Sequence, residues 1–231
     1  MSAPGFASPA TAALLALADQ RLPSGGHVHS GGIEQAVTQR WVHDAATLAA
    51  FLQRRVRTAG LVAAGLAAAA TSVADAGEAS LLDAEADART PAPAHREASR
   101  AQGRGLLRTA RAAWAAPHAG LAWTDVGARP HHPVVLGCAA RACGVDAEGA
   151  ALVAAYLAVT GPATSAQRLL GLDPVAVAVV TLELSADVAD VAREAASCAA
   201  GGLRDLPDPG DPLLDVLAQR HALRGDRLFA S

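Results

Sequence analysis

The side chains best suited to chemistry in this sequence lie close together in QRLPSGGHVHSGGIEQA, positions 20–36. Two imidazoles two residues apart can approach one metal ion when the backbone is extended, and Glu34 would add a carboxylate ligand. Stable sites usually need three or four ligands held by supporting hydrogen bonds, so the histidine pair favours a structural role. A metal-dependent hydrolase remains the alternative, with ligands drawn from His27, His29, His131 and His132.

The glycines of the same stretch also suggest a phosphate-binding loop. Such loops follow a strand and open a helix with GxGxxG or GxxxxGK[ST] spacing, whereas here the preceding segment is helical and neither spacing occurs. All 19 cationic residues of the chain are arginine, so it contains no lysine. A P-loop lysine, a pyridoxal phosphate Schiff base and a lysine nucleophile are excluded, because each requires the amine. There is no GxSxG elbow either, so nothing in these motifs demands an enzyme.

A third interpretation treats the stretch as a corner between two helices. Pro23 ends the first helix, the glycine pair that follows permits a positive φ, and Ser30 is placed to cap the second helix. Glu34 then lies where it can reach back to, or face, the N-terminus of that helix. This interpretation predicts a structured turn in which His29, Ser30 and Glu34 are fixed by local hydrogen bonds or face a partner.

The composition predicts an all-α fold in a single domain. Of the 231 residues, 52% are hydrophobic but only 3% are aromatic, and alanine, the best helix former, dominates. The net charge of −3 argues against nucleic-acid binding, and three cysteines without CxxC spacing indicate neither a disulfide framework nor a zinc site. No apolar segment reaches the roughly 20 residues needed to cross a membrane. The expected protein is cytoplasmic and binds no cofactor.

Apolar spacing and capping residues predict a bundle of about ten helices. Ser8 caps the first helix, and Asp44 caps a long third helix. A Gly-Pro pair at positions 161 and 162 predicts a break between two later helices. The last helix begins near Pro212 and precedes a flexible C-terminal tail that starts at about residue 222.

The helix predicted at 94–115 carries a stripe of arginines along one flank. Five guanidinium groups repel one another unless carboxylates or an anionic partner surface face them. Pairing with the acids at positions 83, 85 and 87 is the simpler interpretation, and a partner-binding surface is the alternative. Two glycines inside the helix, at 103 and 105, indicate close approach of a neighbouring helix or partner. The stripe consists of Arg96, Arg100, Arg104, Arg108 and Arg111.

Taken in order along the chain, these motifs resemble the UreF family of urease accessory proteins. LLALADQRLPSGGHVHSGGIEQAV is similar to the N-terminal signature of that family, an apolar helix followed by L-P-x-G-[GA]-F-x-[HY]-S-x-G-L-E. His27 stands where the signature has an aromatic residue, and Ile33 stands where it has leucine. The resemblance continues in REASRAQGRGLL, HHPVVLG, SAQRLLGLDP and the C-terminal RLFAS, and so covers nearly the whole chain.

The resemblance implies an all-helical, homodimeric scaffold without catalytic activity. Proteins of this family bind UreD, called UreH in some species, and the GTPase UreG, and the assembly delivers nickel to apo-urease. The C-terminal tail is expected to dock into UreD, and Gln102 or Arg168 is expected to influence GTP hydrolysis by UreG. The candidate partner-binding residues are His29, Ser30, Glu34, Arg96, Gln102, Arg168, Arg227, Leu228 and Phe229.

Overall fold

A computed structural model of the chain describes residues 8–23 and 26–230, except for the side chain of His27. Within these residues the chain forms α-helices, one π-helical turn and two short 3-10 turns, and no β-strand. The predicted all-α, single-domain bundle is confirmed. The helices are α1 (Pro9–Ala18), α2 (Ile33–Thr38), α3 (Ala45–Arg55), α4 (Leu61–Ala70), α5 (Ala76–Ala88), α6 (Pro93–Ala113), α7 (His132–Ala142), α8 (Ala147–Leu170), α9 (Pro174–Glu183), α10 (Ser185–Ala200) and α11 (Pro212–Ala222).

The centre of the bundle is formed by α4, α8 and α10, which pack against one another. Helix α7 packs on α4, and α6 packs on α7. The core side chains are mainly alanine, leucine and valine, and such small side chains allow helices to approach closely. At Gly103 a Cβ atom would lie 2.0 Å from the carbonyl oxygen of Pro130. The close approach predicted for this glycine is therefore confirmed.

The starts of α1 and α3 follow the predicted caps. The Oγ of Ser8 accepts a hydrogen bond from the N–H of Thr11, and Asp44 forms a reciprocal capping box with Thr47. These side chains satisfy N–H groups that have no partner within the first turn of a helix. Helices α3 and α4 form one continuous helical segment, because the π-helical turn Val56–Gly60 joins them directly.

The predicted break at Gly161 and Pro162 is wrong, because α8 continues through both residues. Proline has no N–H, so the carbonyl oxygen of Ala158, four residues earlier, loses its partner within the helix. The Nε of Arg55 donates a hydrogen bond to that oxygen at 3.2 Å. A contact from another helix thus replaces the missing bond and supports the uninterrupted helix.

The length of α8 changes the expectation that no apolar segment is long enough to cross a membrane. Within the described residues, α8 is the one helix that is long and apolar enough to cross a membrane, judged by length and composition. The expected break at Pro162 concealed this length in the sequence. Of its most apolar window, 67% is buried inside the bundle, which is typical of a core helix.

Candidate functional site

Glu34 links the N-terminal loop to the C-terminal end of the chain. It lies in the first turn of α2, and only 3% of its surface is exposed. Its Oε1 accepts a hydrogen bond from the N–H of Leu228 at 2.7 Å, and its Oε2 accepts one from the N–H of Phe229 at 3.0 Å. The Nε2 of His221, on α11, lies 2.7 Å from the same Oε2. One buried carboxylate therefore holds three groups from a distant part of the sequence.

These contacts also determine the charge of Glu34. Burial acts to raise the pKa of its carboxyl, but the hydrogen bonds from Leu228, His221 and Phe229 outweigh burial and hold the pKa below its ordinary value. Glu34 is therefore ionised at neutral pH. Hydrogen bonds to an ionised acceptor are shorter and stronger than those between neutral groups, so this contact is a firm one.

The last described segment, residues 226–230, is here called the tail, and it lies against the loop that precedes α2. The N–H of Ala230 donates a hydrogen bond to the carbonyl oxygen of Val28 at 2.7 Å. The side chain of Phe229 is buried, whereas Leu228 is 81% exposed. Arg227 is exposed beside it. Of the three tail residues predicted to bind a partner, Arg227 and Leu228 face solvent and Phe229 packs inward. The flexibility of the tail stays a prediction.

The loop differs from the prediction at Ser30, which does not cap α2. The N-cap residue is Gly32, with φ of +91°, and it follows Gly31, with φ of +64°. Ser30 is fully buried, and its Oγ has no hydrogen-bond partner among the residues that the structure describes. Of the two glycines predicted to permit a positive φ after Pro23, Gly26 belongs to a short 3-10 turn and Gly25 lies outside the described residues. The turn therefore depends on backbone conformation at Gly31 and Gly32 instead of a hydroxyl cap.

A cleft of about 240 Å³ lies between this loop and helices α3, α6, α7 and α8. His29 and Gln102, two of the candidate partner-binding residues, both line it. His132 lines the same cleft, and burial, together with the neighbouring His29, lowers the pKa of His132 to about 4. The ring of His132 is therefore neutral at neutral pH, so it can offer hydrogen bonds but no charge.

The four histidines of the alternative hydrolase do not form a metal site in the described part of the chain. His131 is buried with both ring nitrogens occupied, because Nδ1 lies 3.0 Å from the Oγ of Ser99 and Nε2 lies 2.9 Å from Oδ1 of Asp87. Across residues 8–23 and 26–230, no group of three or more His, Cys, Asp or Glu side chains is arranged to hold a metal ion. The side chain of His27 lies outside the described residues.

The arginine stripe on α6 combines internal ion pairs with an open surface. Arg100 contacts Asp83 at 2.9 Å and Asp87 at 2.6 Å, so the predicted pairing with the acids of α5 is confirmed for this residue. Arg104 and Arg108 are exposed farther along the helix. The stripe therefore anchors α6 to α5 at one end and presents positive charge to solvent at the other.

Two further candidate residues, Arg96 and Arg168, lie apart from both the cleft and the tail. The Nη1 of Arg96 donates to the carbonyl oxygens of Thr90 and Pro91, at 2.8 and 2.9 Å, in the turn between α5 and α6. Arg168 is exposed in the last turn of α8. The structure thus brings Glu34 together with the tail, places His29 and Gln102 in the lining of one cleft, and leaves these two arginines separate.

Two residues that are central to the arrangement, His221 and Arg55, were not predicted as site residues from the sequence. His221 contacts Glu34, which lies 187 residues earlier in the sequence, and no local spacing pattern predicts a contact over that separation. Arg55 enters the cleft without a carboxylate partner, whereas the adjacent Arg54 pairs with Asp211 and the nearby Arg57 pairs with Asp187. Nothing in the spacing of the three arginines distinguishes the one that turns inward.

Known proteins are similar to this chain over nearly its whole length. The sequence profile of the UreF family matches residues 42–185. The urease accessory protein UreF of Mycolicibacterium vanbaalenii is 54% identical over 223 residues, which cover 95% of this chain and 98% of that protein. Proteins of the same name from Mycobacterium tuberculosis and Mycobacterium sp. (strain JLS) are 52% identical over 222 residues and 53% identical over 220 residues. The former covers 95% of this chain and 98% of the relative, and the latter covers 94% and 97%.

Proposed function

Since the chain belongs to the UreF family of urease accessory proteins and so has a role in urease maturation, we propose that it is a non-catalytic scaffold for nickel insertion into apo-urease. In this proposal the protein binds UreD, or UreH, through its tail and binds the GTPase UreG on another surface. It works in the cytoplasm as a homodimer and needs no cofactor. The observation that supports the proposal best is the tail, whose backbone is held by a buried carboxylate while the side chains of Arg227 and Leu228 are exposed.

The tail is suited to docking because Glu34 fixes its backbone. A leucine side chain on an ordered backbone loses less conformational entropy on binding than one on a free chain end. Leu228 supplies an exposed apolar side chain, and Arg227 supplies a cation beside it. Phe229 packs inward and acts as the internal anchor. The predicted docking surface is therefore the outer face of the tail.

Leu228→Asp is expected to reduce capture of a co-expressed UreD partner by about tenfold or more, because it replaces an apolar contact with a charge that must be desolvated. Deletion of residues 226–231 is expected to abolish capture. Affinity co-purification with quantified partner bands measures both effects, and circular dichroism checks that the helical content is retained.

Leu223→Asp is the matched control for this experiment. Leu223 is 88% exposed, and it directly follows α11 without contacting Glu34 in the way that the tail backbone does. Its substitution tests whether any exposed leucine near the C-terminus would have the same effect. Full capture by the deletion variant would contradict docking through the tail.

We also propose that Gln102 or Arg168 promotes GTP hydrolysis by UreG. An arginine or glutamine supplied by a partner can stabilise transition-state charge or orient the attacking water. Gln102→Ala and Arg168→Ala are expected to lower GTP hydrolysis in the complex, and urease activation with it, by about tenfold or more for the residue that acts. Arg193→Ala is the control, since Arg193 is an exposed arginine paired with Asp190 within α10. The proposal fails if hydrolysis and activation both survive the two substitutions.

A further inference from the structure

Arg55 is a cation turned into the protein without a carboxylate partner. Its Nε donates to the carbonyl oxygen of Ala158 at 3.2 Å, and its Nη1 donates to the carbonyl oxygen of Gly31 at 2.8 Å. Asp211, the acid that acts electrostatically on Arg55, is already held by Arg54 through two hydrogen bonds of 2.7 Å. Among the described residues, the guanidinium of Arg55 therefore meets only neutral oxygen atoms.

The charge of Arg55 persists despite this environment. Burial lowers the pKa of its guanidinium to about 10, with a smaller opposing effect of Asp211, so the group stays protonated at neutral pH. A buried charge without a counter-ion is unfavourable, and buried charges in proteins are normally paired. A binding partner of opposite charge would remove this imbalance.

Part of the guanidinium is available to such a partner. An arginine carries five N–H donors, and the two carbonyl oxygens use two of them. The remaining donors are one N–H on Nη1 and both on Nη2, and the end edge of the planar group lies between these two nitrogens and carries one N–H of each. Arg55 lines the cleft of about 240 Å³ described above. This edge therefore offers parallel donors of the kind that bind a carboxylate through two oxygen atoms.

The other charged groups of the cleft already have partners. Asp19 pairs with Arg21, Asp211 with Arg54, and Arg89 with Glu85. Asp215 lies 3.4 Å from the Nδ1 of His95. His29, His131 and His132 are the remaining titratable groups that line it. Among the described arginines that line the cleft, Arg55 is thus the one without a carboxylate bound to it.

The backbone around Arg55 approaches its guanidinium closely at a residue without a side chain. Gly31 has a φ of +64°, and a Cβ atom there would lie 3.1 Å from both the Cζ and the Nη2 of Arg55. The π-helical turn Val56–Gly60 begins immediately after Arg55. π-helical segments within α-helices frequently occur at functional sites. A glycine and an irregular helix turn therefore coincide at the unpaired cation.

We infer that the cleft binds a small, soluble, singly charged oxyanion of the carboxylate or bicarbonate type, held by the end edge of the Arg55 guanidinium. His132 and Gln102, which line the same cleft, are the neutral hydrogen-bonding side chains available to it. The volume corresponds to roughly eight water molecules at about 30 Å³ each, so a small carboxylate fits. A single cation matches a monoanion better than a dianion, and we expect acetate and bicarbonate to bind more tightly than phosphate or sulfate.

The test uses the full-length protein and titrations with sodium acetate and sodium bicarbonate, with chloride at matched ionic strength as the reference. We expect saturable chemical-shift changes at the Nε–H of Arg55 and at the ring protons of His132 in NMR spectra. Arg55→Lys keeps the charge but loses the planar fork, and it should weaken binding by about tenfold or more. Arg57→Lys is the matched control, because Arg57 pairs with Asp187 outside the cleft and its substitution should leave binding unchanged.

The wild-type titration decides the proposal even if Arg55→Lys fails to fold. Shifts in the wild type that are linear, or equal to those with chloride, would overturn the site. Saturable binding that Arg55→Lys retains at full strength would overturn the assignment to this guanidinium. Tighter binding of phosphate than of acetate would overturn the preference for a monoanion.

Discussion

A Gly137→Ala variant is expected to lose at least about 2 kcal/mol of unfolding free energy, because its added methyl group has no room. Gly137 lies on α7, which packs against α4. A Cβ atom at this position would lie 2.1 Å from the carbonyl oxygen of Ala67 and 2.5 Å from the Cβ of Ala70. The closest contact is with backbone, so no side-chain rotation relieves it. The two helices must move apart, and the contacts between them are weakened.

Thermal denaturation measures this effect, and Gly161→Ala is the matched control. For a protein of this size, each kcal/mol shifts the melting temperature by roughly 2–4 °C, so a decrease of about 4 °C or more is expected for Gly137→Ala. Gly161 lies inside α8, and nothing is within 4 Å of a Cβ atom added there. The higher helix propensity of alanine should stabilise that variant by up to about 1 kcal/mol. Equal melting temperatures for the two variants would contradict the close packing of α7 on α4.

Features that depend on neighbouring residues were predictable from the sequence. Ser8 and Asp44 begin helices because a side-chain oxygen satisfies an N–H group three residues later. The glycine at position 103 indicated a close approach, because a residue that weakens a helix needs a packing reason to be there. In each case the information lies within a few positions along the chain.

Features that depend on distant residues were not predictable in this way. Pro162 ordinarily ends a helix, but α8 continues through it, and Arg55, 103 residues away from Ala158 in the sequence, donates the hydrogen bond that the proline cannot. Ser30 has the right type and position for a cap, yet the backbone at Gly31 and Gly32 directs the chain differently. Local propensity was overruled by tertiary contacts at both places.

The candidate site shows the same division. Glu34 was identified from its motif, and the tail was identified from the family resemblance. Their contact was not foreseen, because Glu34 lies 194 residues from Leu228 and 195 from Phe229. A carboxylate near a helix N-terminus is ordinarily explained by that terminus alone, so its type and position gave no reason to seek another partner.

Glu34→Ala is expected to release the tail without unfolding the bundle. The substitution leaves the N–H groups of Leu228 and Phe229 without their acceptor, and each unmet hydrogen bond at a buried site costs about 1–3 kcal/mol. Hydrogen exchange at these two amides should accelerate by roughly 10- to 100-fold, while amides in the core of α8 stay protected. Exchange measured residue by residue in NMR spectra checks both parts of the expectation.

Two further variants separate the role of Glu34 from general effects of removing a carboxylate. Glu34→Gln keeps one acceptor oxygen and should accelerate exchange less than Glu34→Ala. Glu97→Ala removes an exposed glutamate that pairs with Arg129 at 2.8 Å, and a surface pair of this kind is worth little. Unchanged exchange at Leu228 and Phe229 in Glu34→Ala would show that other contacts hold the tail.

Lowering the pH should release the tail of the wild-type protein in the same way. The folded-state pKa of Glu34 lies below its ordinary value of 4.5, so the contribution of the carboxylate is fully present above that pH and is lost as the pH falls through the folded-state pKa. Exchange at Leu228, relative to its intrinsic rate at each pH, should accelerate over this range in the wild type and stay constant in Glu34→Ala. If the tail also docks UreD, Glu34→Ala loses capture while its helices remain protected. Such a result would assign the loss to the support of the tail and not to unfolding.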